Sequence, residues 1–231
     1  MHGAEIRAVL LDLDDTLTDR SATVRAYAQH FIRDFGARLR PTMDLPMAAA
    51  ELIRIDRDGY NQHRASDLAQ HEAWRSSPGA SALAAHWDRH FALCTQAREG
   101  LLPLVDALML AGIKLGVVTN GRTDKQRRKL DALGLRDRLG VVLISEEFGV
   151  GKPDESIFCA AAAELAVFPR ECMFIGDNPE KDVRGAAAVG MRAVWFRATL
   201  RWPEGVALPQ ESVASLREVL GLLGCQPATT T

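Results

Sequence analysis

"AVLLDLDDTLTD", residues 8–19, runs from an unbroken apolar stretch straight into four carboxylates: Asp12, Asp14, Asp15 and Asp19. The apolar part reads as a buried β-strand. Like charges gathered at a strand end repel one another unless a positive species sits among them. Asp12 and Asp14 are spaced by two, so on an extended chain both point to the same side. Such a pair can hold a hard cation such as Mg²⁺, which prefers oxygen ligands. A D-x-D sequence is common as a solvated acidic turn, and its position at the end of AVLLDL is what gives it weight here.

Outward from this stretch, short runs rich in Val, Ile and Leu recur: IKLGVVT (113–119), VVLIS (141–145), CMFIG (172–176) and RAVWF (192–196). Segments with helical spacing separate them, at 123–133, 153–165 and 179–189. Pro153 and Pro179 are placed as first-turn residues, and Gly112, Gly134 and Gly190 where helices should end. Strands that alternate with helices and are apolar almost throughout imply an α/β fold with a parallel sheet covered on both faces. The rhythm breaks once, because no strand-like run lies between residues 13 and 113. Helices are expected there near 20–35, 44–57, 61–76, 80–97 and 101–111, separated at Gly36, Pro41, Gly59 and the turn Ser76–Gly79. The expected organisation is an α/β core from 1–18 and 98–231, with a helical domain, 19–97, inserted after the first strand. A turn-rich stretch at 202–209 precedes a short helix near 213–223, and the tail QPATTT is expected to fray.

Composition narrows the function classes. The 231 residues are 47% hydrophobic and 25% charged, as in a globular protein rather than a disordered one. A formal charge of −2 gives no electrostatic footprint for a nucleic-acid polymer or an anionic membrane. No apolar run is long enough to span a bilayer, and the N-terminus lacks a signal-peptide layout. Cys94, Cys159, Cys172 and Cys225 are scattered and read as reduced, mostly buried thiols of a cytoplasmic protein.

Three further strand ends carry chemistry. Thr119-Asn120-Gly121 offers a hydroxyl and open backbone N–H groups, which suit a phosphate. Lys152, in Gly-Lys-Pro-Asp, precedes a helix start, so ammonium and helix N-terminus both favour an anion. Gly176-Asp177-Asn178-Pro179 places more carboxylates after a buried run, with Asp182 one turn later; Asp177 or Asn178 could equally cap the helix. Each motif has a dull explanation alone. Together, each at the C-terminal end of a strand, they supply a metal cage, a nucleophile and anion clamps, the equipment of phosphoryl transfer.

With D-L-D-D-T-L (12–17), T-N-G (119–121), G-K-P-D-E-S-I-F (151–158), G-D-N-P-E-K-D (176–182) and G-A-A-A-V-G-M (185–191), the chain resembles the haloacid dehalogenase superfamily, in its phosphatase branch with a helical cap after strand one. The likeness spans nearly the whole chain. It implies a Rossmann-like core with strand four beside strand one. It implies Asp12 as nucleophile and Asp14 as general acid and then base. Mg²⁺ would be held by the Asp12 carboxylate, the Asp14 carbonyl and the Asp177 carboxylate. Thr119, the Asn120 backbone and Lys152 would hold the phosphoryl oxygens, and Asp182 would orient Lys152 or a metal-bound water. Asp15 is expected to stabilise the turn and Asp19 to be solvated. The implied activity is Mg²⁺-dependent hydrolysis of a small phosphate monoester, of nucleotide or sugar phosphate type, through an aspartyl-phosphate. The expected partner is a small phosphorylated metabolite, with no nucleic-acid polymer, no membrane and no obligate protein partner.

Related chemistries compete. A dehalogenase attacks carbon with the same aspartate but needs neither Asp14 nor a metal, and a phosphomutase shares the phosphatase residues. A receiver-like signalling module also accepts phosphate on Asp, but from a later strand and without a large insertion. In the insertion, Arg54, Arg57, Tyr60, His63, Arg64, His71, Trp74, Arg75, His86, Trp87 and Arg89 are expected to be mostly solvated faces or core aromatics. Arg64, Trp74 and Arg75 are the positions expected to tune substrate choice.

Overall fold

Alternation along β1 (Ala8–Leu11) explains the core directly. Ala8 and Leu10 face one side, packed with Val118, Phe158 and Phe174; Val9 and Leu11 face the other, packed with Leu104, Leu108 and Ile175. A strand buried on both faces belongs in the middle of a parallel sheet. The computed structural model describes residues 5–56, 63–198 and 200–224. In it β1 lies between β2 (Lys114–Thr119) and β4 (Cys172–Gly176), and β3 (Val141–Ile144), β5 (Arg192–Phe196) and β6 (Ser212–Val213) complete a six-stranded sheet of order β3-β2-β1-β4-β5-β6. Every pairing is parallel.

The chain divides into two compact units, residues 1–18 with 97–231, and residues 19–96. Ala97 joins the first unit because it bridges Thr18. The second unit carries α1 (Arg20–Phe35), α2 (Leu45–Ile55), α3 (Arg64–Ala69) and α4 (Ala80–His90), with its own core around Tyr27, Phe31, Leu52, Trp74 and Trp87. The sheet unit adds α5 (Leu101–Leu110), α6 (Thr123–Ala132), α7 (Ser145–Phe148), α8 (Glu155–Glu164), α9 (Gly185–Ala188) and α10 (Leu216–Leu223).

The structure departs from the expectations of the sequence in several places. The helix expected over 61–76 is only α3. Residues after it pair instead with 38–40, through the Leu39–Trp74 bridge and the Arg40 N–H donating to the Ala73 carbonyl at 2.8 Å. Tertiary pairing wins over helical spacing there. Pro153 is not a first-turn residue, because Asp154 caps α8 by accepting the Ser156 N–H at 2.9 Å, and the helix begins at Glu155. The helix expected over 179–189 opens as a π-helical turn, Pro179–Arg184, before α9. Asp19 is not simply solvated, since its carboxylate caps α1 by accepting the Ala22 N–H at 2.8 Å. β6 is too short to show a period. Arg57, Gly59, Tyr60, Cys225 and the tail QPATTT lie outside the described residues. Of the described cysteines, Cys94 and Cys172 are buried and Cys159 is exposed, all as free thiols.

The Phe158 and Phe174 rings meet edge to face at 5.0 Å and both are fully buried, so Phe158 couples α8 to β4. Phe158→Ala should cost about 3–5 kcal/mol of stability through lost burial and the cavity left behind. Urea unfolding of the two proteins measures this, and a loss below about 1 kcal/mol would contradict the packing described.

Candidate active site

β1 and β4 are neighbours at the point where strand order reverses, and ligands of open α/β sheets bind outside strand C-termini at such a point. Leu11 is in register with Ile175, and the Asp12 N–H donates to the Ile175 carbonyl at 2.9 Å. Asp12, just past β1, therefore stands level with the end of β4, which continues into Asp177. Carboxylate oxygens of Asp12, Asp177 and Asp182 lie within 4.8 Å of one another, and all three residues are buried.

Gly176 makes the approach of Asp182 possible. A Cβ there would stand 2.4 Å from the Asp182 carboxyl carbon. The π-helical turn brings Asp182 back over the strand end, where its Oδ2 accepts the Asn178 N–H at 2.9 Å. Asn178, rather than Asp177, caps this turn, accepting the Glu180 and Lys181 N–H groups at 3.1 and 2.9 Å. Asp177 is left facing the other carboxylates.

Lys152 lies between them. Its Nζ donates to Asp12 Oδ1 at 2.6 Å and pairs with Asp182 Oδ1 at 2.6 Å. Burial alone would lower its ammonium, but the Asp12 and Asp182 carboxylates outweigh that and hold it above its ordinary range. Its backbone is clamped by the Asn120 side chain, whose Nδ2 donates to the Lys152 carbonyl and whose Oδ1 accepts the Lys152 N–H, each at 2.8 Å.

One ammonium does not balance three buried carboxylates. Burial, against the pull of Lys152, pushes the Asp12 carboxyl up to about 7. Burial, reinforced by Asp12 and Asp182, pushes Asp177 up to about 9. The cluster is short of two positive charges, and its donors are all oxygen. That donor set fits a hard divalent cation such as Mg²⁺.

Asp14 faces elsewhere. Its carboxylate accepts from Lys129 Nζ at 2.6 and 2.7 Å and from Gln126 Nε2 at 3.0 Å. Gln126 Nε2 also donates to Thr119 Oγ1 at 2.7 Å, linking α6 to the ends of β1 and β2. Gln126 and Lys129 were not singled out from sequence, although their i, i+3 spacing places them on one face of the expected helix. Gly121 does not offer an open N–H, because that group donates to Ser145 Oγ at 2.9 Å. Asp15 takes a left-handed backbone with φ of 60°, and its N–H donates to Thr18 Oγ1 at 3.1 Å. Arg98, also unforeseen, holds this turn by donating to the carbonyls of Asp15, Thr16 and Thr18 at 2.7, 3.0 and 3.0 Å.

In the insertion, two of the three residues expected to tune substrate choice are fixed inside their own unit. Arg64 pairs with buried Asp56 and stacks over Trp87 at 4.1 Å, and Trp74 is buried with its Nε1 donating to the Leu68 carbonyl at 2.6 Å. Arg75 is exposed.

Comparison with known proteins places this geometry. Residues 6–190 match the haloacid dehalogenase-like hydrolase family. A phosphoserine phosphatase of Thermus thermophilus is 34% identical, with 93% of this chain and 98% of that one aligned. A glyceraldehyde 3-phosphate phosphatase of Methanopyrus kandleri is 35% identical over 83% of this chain and 84% of that one. Among solved structures, the magnesium-bound hydrolase YfnB of Bacillus subtilis shares the fold, with a TM-score of 0.72 at 21% identity, covering 95% of this chain and 99% of that one. The chain belongs to the haloacid dehalogenase-like hydrolase family, in its phosphatase branch. No helix among the described residues is long and apolar enough to cross a membrane.

Gly176→Ala should leave the sheet intact but push Asp182 off Lys152. A misplacement of about 1 Å at a reacting centre costs about 100-fold in rate. Hydrolysis of p-nitrophenyl phosphate together with far-UV circular dichroism tests this; native turnover in a folded variant would refute the packing argument.

Proposed function

We propose that the protein hydrolyses a small phosphate monoester, of nucleotide or sugar phosphate type, with Mg²⁺ and through an aspartyl-phosphate on Asp12. The observation that carries this reading is Lys152 held between Asp12 and Asp182 beside Asp177, at the reversal of strand order. The catalytic part would be the α/β core, 1–18 with 98–231. The helical segment 19–97 would act as a cap that selects small substrates.

A bound Mg²⁺ would supply Lewis-acid neutralisation of the phosphoryl oxygens, held by the Asp12 and Asp177 carboxylates and the Asp14 carbonyl. Asp12 attacks phosphorus through a carboxylate oxygen, and the ester oxygen departs. Lys152 and Thr119, with the Asn120 backbone, stabilise charge on the transferring phosphoryl group. Asp182 keeps Lys152 in place. Asp14 gives a proton to the leaving oxygen, then takes one from the water that hydrolyses the aspartyl-phosphate. Lys129 and Gln126 orient the Asp14 carboxylate for these two proton transfers. Asp14 is what favours a phosphatase over a dehalogenase, because a proton donor assists an alkoxide and not a halide.

Asp12→Asn should abolish turnover while the protein stays folded, and beryllium fluoride, which mimics an aspartyl-phosphate, should inhibit the native enzyme. EDTA should remove activity and Mg²⁺ restore it, with Ca²⁺ a poor substitute because its larger, looser shell misplaces the nucleophile. Near-native turnover of Asp12→Asn, or full activity after exhaustive metal removal, would overturn the reading. A panel of nucleoside monophosphates, sugar phosphates, phosphoserine and glyceraldehyde 3-phosphate, set beside a phosphopeptide, tests the substrate class; preference for the peptide would count against it. Lys129→Met should lower kcat on alkyl phosphates by about tenfold or more, within the range of acid–base assistance, while KM changes little. Lys129→Arg should recover part of that loss, and an unaltered kcat would remove Lys129 from the site.

A further inference from the structure

In the helical unit, α1 presents one ligand-type side chain and α4 presents two, one helical turn apart. Asp34 lies on α1, and His86 and His90 lie four residues apart on α4. Residues i and i+4 share a helix face, so the two imidazoles point the same way. His86 Nε2 is 3.0 Å from Asp34 Oδ2, and His90 Nε2 is 4.0 Å from the same oxygen. All three ligand atoms lie within 4.8 Å of one another.

We propose that Asp34, His86 and His90 form a second metal site, for a borderline divalent ion of the Zn²⁺ class, that ties α1 to α4. Two imidazole nitrogens and one carboxylate oxygen are the donors Zn²⁺ takes, and they disfavour Mg²⁺ and Ca²⁺, which seek oxygen. Zn–N and Zn–O bonds of about 2.1 Å set tetrahedral ligands about 3.4 Å apart, between the two separations seen here. Small side-chain movements would close the site, leaving a fourth position for water. Asp34 is at the surface, which gives an ion its entry path.

The surroundings of the three residues suit ligation. His86 Nδ1 is 2.8 Å from the Tyr27 hydroxyl, which can donate or accept. With Nε2 on a metal, Nδ1–H donates to Tyr27, the second partner that ligating histidines characteristically have. His30 stacks on His90 at 5.2 Å and limits the swing of its ring. Arg33 donates to Asp34 Oδ1 at 2.7 Å from the solvent side, and also reaches Oδ2 at 3.1 Å. A metal on Oδ2 displaces only the longer of these bonds.

The site is independent of the acidic cluster, so the test separates them. The full-length protein, stripped of metal and held in millimolar Mg²⁺, should bind one equivalent of Zn²⁺ in competition with a chromophoric chelator, and its unfolding temperature should rise by several degrees. Co²⁺ should give the intense visible bands of a four-coordinate site. His90→Ala and Asp34→Asn should each weaken Zn²⁺ binding at least tenfold and erase the Co²⁺ bands, while Asp12→Asn keeps both. Asp34→Asn is nearly isosteric and guards against a folding defect in His90→Ala. Undiminished Zn²⁺ binding in both variants, loss of binding in Asp12→Asn, or no stoichiometric binding by the native chain would overturn the proposal.

Discussion

A buried ammonium shared by two carboxylates fixes the geometry of the candidate active site. Lys152 lies between Asp12, at the end of β1, and Asp182, on the turn that follows β4. These anchors are far apart in sequence and belong to different strands. A buried ion pair broken by removing one partner costs several kcal/mol, about 3–5, because the remaining charge is left uncompensated. The lysine therefore holds the two strand ends in one arrangement, and the surplus negative charge sets what can bind there. Asn120 extends this control to β2 by gripping the lysine's backbone from both sides. Three strand ends are tied to one residue.

The acidic cluster is poised rather than relaxed. Without a further cation, Asp12 and Asp177 resist ionisation, because burial and mutual repulsion outweigh one lysine. A protein that sought only stability would place apolar side chains at such a strand end. Strain of this kind is what a site suited to a divalent cation would carry, since such an ion brings the two positive charges the cluster lacks.

Much of this was legible in the sequence, for a physical reason. Parallel strands buried on both faces must be continuously apolar, so AVLL, LGVVT, VVLI and CMFIG stood out, and the candidate site residues lie in the loops and turns after them. That Asp12, Lys152, Asp177 and Asp182 would meet was readable because each lies beyond the C-terminal end of a strand of one parallel sheet. Gln126, Lys129 and Arg98 were not, because each acts through a long side chain that crosses to another element, and sequence spacing does not encode such reach. Arg64 and Trp74 misled for the complementary reason. Arginine and tryptophan look like ligand-binding residues on paper, yet here the guanidinium neutralises buried Asp56 and the indole fills a core. The extended pairing after α3 and the two-residue β6 depend on neighbours distant in sequence, which a local period cannot report.

The chain enters and leaves its insertion through a single doorway. Thr18 and Ala97 form an antiparallel bridge, and one step outward the Asp19 N–H donates to the Gln96 carbonyl at 2.9 Å. Arg98 then locks the inner side of the doorway by binding the carbonyls of residues 15, 16 and 18. Thr18 and Ala97 thus close the sheet unit, and Asp19 and Gln96 close the insertion, each pair as adjacent chain ends joined through the backbone. Loop closure depends only weakly on loop length, so a longer, shorter or differently folded insert would burden the sheet little more. The doorway makes the helical segment a replaceable cassette.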